Sequence, residues 1–135
     1  MASRLNPYLN FRGNARQAIE FYQSVLGGEV RLSTFGDMPG ADAAIADQIM
    51  HGQLETPNGY TLMVSDLPPT MPYNPGDNIT VSISGDDAVD MRGYFQKLSA
   101  AGKVSVPLEK QMWGDEFGAC VDQFGIQWMV NITQN

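Results

Sequence analysis

Along residues 14–30, NARQAIEFYQSVLGGEV, apolar side chains recur at spacings of three and four: Ala15, Ala18, Ile19, Tyr22, Val25 and Leu26. That period puts them on one face of a helix. Asn14 stands ahead of the run with Gln17 three residues on, the pattern of an N-cap with a capping box, and Gly27-Gly28 supplies the stop. Before the helix, residues 5–11 (LNPYLNF) alternate: Pro7, Leu9 and Phe11 form one phase, Asn6, Tyr8 and Asn10 the other. Alternation predicts a strand, and Pro7 restricts it to a sheet edge or to the strand's start. After the helix come a strand over 29–35 and an acidic Ala/Gly-rich loop over 36–47 with room for one short helical turn. A hairpin over 48–55 and 60–65 then turns at Pro57-Asn58-Gly59.

Residues 66–76, DLPPTMPYNPG, hold four of the eight prolines and predict a semi-rigid connection rather than a helix or central strand. Beyond it the order repeats. Residues 78–84 (NITVSIS) alternate, with Ile79, Val81 and Ile83 opposite Asn78, Thr80 and Ser82. Gly85-Asp86-Asp87 leads into a helix to about residue 101 that carries Tyr94-Phe95-Gln96, the counterpart of Phe21-Tyr22-Gln23. A strand interrupted by Pro107 falls within 103–113, and a hairpin over 116–122 and 126–132 closes the chain. The two hairpins align without gaps, HGQLETPNGYTLMV (51–64) on FGACVDQFGIQWMV (117–130). Gly52 falls on Gly118, Gly59 on Gly125 and Met63-Val64 on Met129-Val130. A frame of that length, with helix and connection repeating too, predicts an internal duplication.

Composition narrows the possibilities. With 135 residues the chain suits one domain, read as module one over about 4–66, a Pro-rich linker over 67–76 and module two over about 77–133. A formal net charge of −7 without a Lys/Arg run argues against a nucleic-acid or anionic-membrane partner. No apolar run reaches the length of a membrane span, and the first residues lack a signal-peptide core. The lone Cys120 excludes an internal disulfide and fits a reducing cytoplasm; its strand-like surroundings predict a small buried thiol rather than a nucleophile.

At this point the chain resembles the vicinal oxygen chelate superfamily, the glyoxalase and bleomycin-resistance fold, and within it the PhnB-like branch. The residues that carry the resemblance are NPYLNFRGNARQAIEFYQSVLGGEV, FGDMP (35–39), IMHG (49–52) and MWGDEFGACVDQFGIQWMVNI (112–132), spread over almost the whole length of the chain. The resemblance implies an α+β fold in which two βαβββ modules pair into a curled mixed sheet forming a cup. Members often carry a demethylubiquinone methyltransferase label; this sequence has no strand, Gly-rich turn and helix unit to hold a methyl donor's nucleotide. In metal-dependent relatives four inward side chains bind a divalent ion, and those slots fall here on Asn6, Met63, Asn78 and Met129. Two thioethers and two neutral amides suit a hard or borderline dication poorly, so the expectation is no metal and no cofactor.

If the apolar phase of each first strand covers the helix, Asn6, Tyr8, Asn10, Asn78, Thr80 and Ser82 face the cavity, joined by Met63, Met129, Gln127 and Asn131. That lining suits a small polar-aromatic ligand. His51, the only histidine, is either a general base or hydrogen-bond anchor, or an ordinary hydrogen-bonded sheet residue. Asp115, beside Glu116, either binds a cationic ligand or orients a base, or is simply solvated; Trp113 either stacks on a ligand or anchors a core or interface. No Ser-His-Asp set, Cys-His pair or phosphate loop is present. The reading is a cytoplasmic, metal-independent small-molecule-binding protein, with homodimerisation implied by the resemblance. The alternatives are a lyase- or isomerase-type enzyme with His51 as base and Asn6 and Asn78 polarising a carbonyl, or a sequestering resistance protein for cationic aromatic compounds, so whether the chain is an enzyme stays open.

Overall fold

The structure is a computed structural model that describes residues 3–134. The elements run β1 (Tyr8–Phe11), α1 (Ala15–Leu26), β2 (Glu29–Thr34), β3 (Ile49–Glu55), β4 (Thr61–Asp66), β5 (Val81–Gly85), α2 (Ala88–Ser99), β6 (Lys103–Lys110), β7 (Glu116–Val121) and β8 (Gln127–Ile132). Two short 3₁₀ turns, Phe35–Asp37 and Ala43–Ile45, interrupt the acidic loop where one was expected. The strands pair as two four-stranded sheets, β1-β4-β3-β2 and β5-β8-β7-β6, rather than as one continuous sheet. Each is mixed, with a parallel first pair (β1/β4, β5/β8) and antiparallel pairs elsewhere. The chain divides into two compact units between Pro75 and Gly76, so the Pro-rich segment belongs to module one. There the Arg12 guanidinium donates to the Met71 carbonyl and lies 5.5 Å from the Tyr73 ring centre.

The duplication holds residue by residue. Gly52 pairs with Val64 and Gly118 with Val130; Gln53 with Met63 and Ala119 with Met129; Glu55 with Thr61 and Val121 with Gln127. The turns close alike: the Gly59 amide donates to the Thr56 carbonyl and the Gly125 amide to the Asp122 carbonyl, each at 3.0 Å. Both turn glycines hold positive φ, 89° and 87°, which side chains with a Cβ rarely adopt.

In each module the helix covers one sheet face. Ala15, Ala18, Ile19, Tyr22, Val25 and Leu26, the predicted stripe, are all buried, with Ile49, Leu54, Leu62 and Val64 beneath them. Met91, Phe95 and Leu98 bury against Ile83, Cys120, Trp128, Val130 and Ile132 in module two. Gly27 caps α1, and Gly28 after it holds φ 101°, where an added Cβ would lie 2.2 Å from the Glu55 carbonyl oxygen; a Cβ on Gly102 would lie 2.1 Å from that of Val121.

Three expectations need correction. Asn14 makes no side-chain cap bond. The cap comes from the end of β4: Asp66 Oδ1 accepts from the Gly13 and Ala15 amides at 2.7 and 3.0 Å, and Oδ2 from Ile49 at 2.9 Å. A carboxylate with two oxygens satisfies both the helix start and a strand amide, which the Asn14 amide oxygen does not. The strand expected over 78–84 begins only at Val81, leaving Asn78, Ile79 and Thr80 exposed ahead of it. The strand expected to break at Pro107 instead runs through it, because β6 is an edge strand and its register shifts on both sides of Val106.

Asp66 is 1% exposed, so Asp66→Ala removes the acceptor of three module-one amides, two of them buried, and costs about 3 kcal/mol in urea unfolding. Asp66→Asn, which keeps one acceptor, loses less. A loss for the alanine variant within the error of the measurement contradicts this account of the helix start.

Candidate functional site

Because α1 covers one face of the first sheet, the pleat sends alternate side chains to the other. Tyr8 pairs with Met63, Met63 with Gln53 and Gln53 with Arg31, a row across all four strands. Asn10 pairs with Ser65, and Ser33 with His51. A β-bulge leaves Met50 without an opposite number between the Ser33–His51 and Thr34–Ile49 pairs. The extra residue moves Ile49 to the buried, helix-covered face with Gly52 and Leu54, while His51, Gln53 and Glu55 share the other face by ordinary alternation.

Those side chains form one hydrogen-bonded line. The Tyr8 hydroxyl lies 3.2 Å from His51 Nδ1, with the ring centres 5.7 Å apart. His51 Nε2 lies 3.3 Å from Gln53 Oε1, and Gln53 Nε2 donates to Glu55 Oε1 at 2.8 Å. Thr61 Oγ1 donates to Glu55 Oε2 at 2.6 Å and the Arg4 guanidinium to Oε1 at 2.5 Å. The Thr61, Gln53 and Arg4 hydrogen bonds, in that order, hold the Glu55 carboxyl down to about 2. Tyr8 is 46% exposed, and His51, Gln53 and Met63 are half-buried, so the line borders solvent.

Of the side chains expected at a ligand, Tyr8, Asn10, His51 and Met63 share this face. Asn6 precedes β1, and its amide donates to the Pro7 carbonyl at 3.0 Å. Sequence reasoning missed Gln53, Glu55, Thr61 and Arg4. The pattern is present, since His51, Gln53 and Glu55 stand two apart in HGQLE, but of the three only the histidine is distinctive in its chemistry.

In module two the matching positions are apolar: Phe117 replaces His51, Ala119 replaces Gln53 and Val121 replaces Glu55. Met129 pairs with Ser82 and Ala119, and Asn131 with Ser84 and Phe117. Trp113, 62% exposed, stands edge-on to Phe117 with ring centres 6.3 Å apart. Asp115 accepts from Asn131 Nδ2 at 3.0 Å and from the Gln134 amide at 3.3 Å. Asn78 and Thr80 lie ahead of β5, where no ladder pairing sets the face they present. Glu116 pairs with Arg92 of α2 at 2.5 Å, and that hydrogen bond lowers its carboxyl from the usual range. Cys120 is buried; desolvation first, then the Asp122 charge, push its thiol up to about 11, which makes it a poor nucleophile.

The donor set does not fit the divalent metal that the fold allows. The first-strand residue opposite Met63 is Tyr8 and that opposite Met129 is Ser82, so neither thioether faces the expected amide. Among the described residues, no three His, Cys, Asp or Glu side chains converge to hold a metal ion. Among them, too, no helix is long and apolar enough to cross a membrane.

Since the folded Glu55 carboxyl titrates below its ordinary 4.5, its anchoring of the line is complete above that value and fades as pH falls towards about 2. A carbon-detected NMR titration of the Glu55 carboxyl is expected to show a midpoint near 2; a midpoint near 4.5 contradicts the network.

Comparison with known proteins agrees with this architecture. The model of the Glyoxalase/Bleomycin resistance protein/Dioxygenase superfamily matches residues 4–130. The chain is 29% identical to protein YjdN of Escherichia coli over 96% of this chain and 95% of that one. It is 34% identical to protein PA1353 of Pseudomonas aeruginosa, whose crystal structure superposes with a TM-score of 0.89 over 99% of this chain and 100% of that one. The fold is shared with a Bacillus cereus PhnB protein, described as a putative 3-demethylubiquinone-9 3-methyltransferase, at 20% identity and a TM-score of 0.72 over 97% of this chain and 100% of that one. With the family model spanning both modules and the strand order repeated within each, the chain belongs to the Glyoxalase/Bleomycin resistance protein/Dioxygenase superfamily.

Proposed function

We propose that this chain is a PhnB-like small-molecule-binding protein that takes its ligand, without a metal, on the helix-free face of module one. The observation that carries the reading is the hydrogen-bonded line Tyr8–His51–Gln53–Glu55. A face of sheet needs no such chain of side-chain hydrogen bonds to stay soluble, and a ligand that approaches Tyr8 meets polar groups already held in place. Met63, between Tyr8 and Gln53 in the register, supplies an adaptable apolar contact. Asn10 adds an amide, and Asn6 is a further candidate contact; Asn78, Thr80, Met129, Trp113 and Asp115 belong to module two and are candidate contacts there, apart from this face. The modules act as halves of one domain, in keeping with a family model that spans 4–130. The reading includes a homodimer, resting on the family resemblance alone, and a cytoplasmic location, with which the lone Cys120 is in keeping.

A second reading is favoured by the Tyr8–His51 contact: an isomerase- or lyase-type reaction with His51 as general base. The ligand class that the net charge of −7 favours is a cationic aromatic compound, which a sequestering protein would hold without chemistry.

A thermal-shift screen of chelator-treated protein against small aromatic cations, carboxylates and phenols tests the binding reading. Hits are expected without added metal. Tyr8→Phe and His51→Ala each weaken them about tenfold, the loss of one good hydrogen bond. Unchanged affinity in both variants, or binding that appears only with added dication, overturns it. With any compound the protein turns over, His51→Ala that keeps full rate excludes the general base.

A further inference from the structure

An ionised carboxylate accepts hydrogen bonds and donates none. Glu55, held ionised by Thr61, Gln53 and Arg4, therefore requires the NH₂ end of the Gln53 amide to face it, as the 2.8 Å Nε2–Oε1 bond shows. The other end of that amide, Oε1, is then the atom 3.3 Å from His51 Nε2. A carbonyl oxygen can only accept, so Nε2 must carry a hydrogen. That leaves Nδ1, 3.2 Å from the Tyr8 hydroxyl, with the free lone pair of the neutral ring.

We infer that Glu55, acting through the Gln53 amide, positions the protons of His51: Nε2 keeps its hydrogen, Nδ1 is the nitrogen that gains and loses one, and the Tyr8 hydroxyl reverses with it. With the ring neutral, Tyr8 O–H donates to Nδ1, and its oxygen lone pairs accept from a ligand N–H or O–H. With Nδ1 protonated, Nδ1–H donates to the Tyr8 oxygen, and the hydroxyl hydrogen is released towards a ligand carboxylate, carbonyl or phenolate. One exposed hydroxyl thus changes from acceptor to donor as His51 gains a proton, and the preferred ligand changes with it. Gln53 and Glu55 are positioning residues; neither needs to touch the ligand.

The groups facing His51 on this side are Tyr8 from β1, with Arg4 ahead of that strand, and Ser33, Arg31 and Glu29 from β2. Gln53 and Glu55 come from β3, and Thr61, Met63 and Ser65 from β4. Two cations, Arg4 and Arg31, balance two carboxylates, Glu29 and Glu55, so the direction of the Tyr8 hydroxyl is set by hydrogen bonding rather than by net charge. Helix α1 covers the opposite face.

The inference rests on the proposed ligand face, but its test needs no ligand, so the two fail separately. His51 is the only histidine, so the full-length chain labelled with ¹⁵N-histidine gives a single imidazole spectrum. Long-range ¹H–¹⁵N correlation of the neutral ring is expected to show Nε2 protonated and Nδ1 unprotonated, with shifts far apart; adding a proton to the ring moves Nδ1 and barely moves Nε2. Gln53→Leu and Glu55→Gln, both on the open face, bring the two nitrogens together as the tautomers exchange. Gln53→Glu, which keeps an acceptor against Nε2, retains the separation. A wild-type ring protonated on Nδ1, or a separation unchanged in both Gln53→Leu and Glu55→Gln, overturns the inference.

Discussion

Each helix meets its sheet at a glycine that has no room for a side chain, and the orientation of everything else follows. A Cβ on Gly52 would lie 2.8 Å from Val64 Cγ2, 3.0 Å from Leu32 Cδ2 and 3.3 Å from Ile19 Cδ1. On Gly118 it would lie 2.9 Å from both the Leu108 Cα and the Phe95 ring. Close approach at these points buries the helix stripe, and a buried stripe fixes which pleat phase is core. The strand alternation then leaves the other phase no choice: His51, Gln53 and Glu55 must point away from α1. The candidate site follows from helix packing rather than standing apart from it.

Duplication preserved this frame while the chemistry diverged. Backbone register, turn closure and the paired glycines are held in both modules, since each is a requirement of packing or backbone conformation. The open faces carry no such requirement. Module one uses its face for a Tyr, a His, an amide and a carboxylate in hydrogen-bonding sequence; module two carries Phe117, Ala119 and Val121 there, with Trp113 edge-on to Phe117. A polar line and an aromatic patch offer a ligand different contacts, which suits the broad chemistry that a shared fold supports.

Most of the fold was legible in the sequence because its causes are local. The 3.6-residue period of Ala15 to Leu26 and the aligned turns at Gly59 and Gly125 need only neighbouring residues to be read. The helix cap was not legible: Asp66, which replaces Asn14 in that role, lies 51 residues from the amide it caps, and no short-range pattern reports such a contact. Strand ends were misplaced for a related reason. Alternation extends through Asn78, Ile79 and Thr80, but no partner strand reaches them. At the site, periodicity gave the face of Tyr8 and Asn10, the family resemblance gave Met63, and the lone histidine stands out by its chemistry. Gln53 and Glu55 are ordinary residues in composition; only the distances between their side chains reveal that they work with His51.

The central claim is that ligand contacts fall on the helix-free face of module one and leave the packed interior undisturbed. The most direct measurement is an NMR titration of ¹³C-methyl-methionine-labelled protein with a binding compound. Met63 lies on that face, and Met91 is fully buried on the sheet-facing side of α2. The account predicts that the Met63 methyl shifts progressively to saturation while Met91 stays in place. Saturable binding that moves Met91 and leaves Met63 unchanged would contradict it.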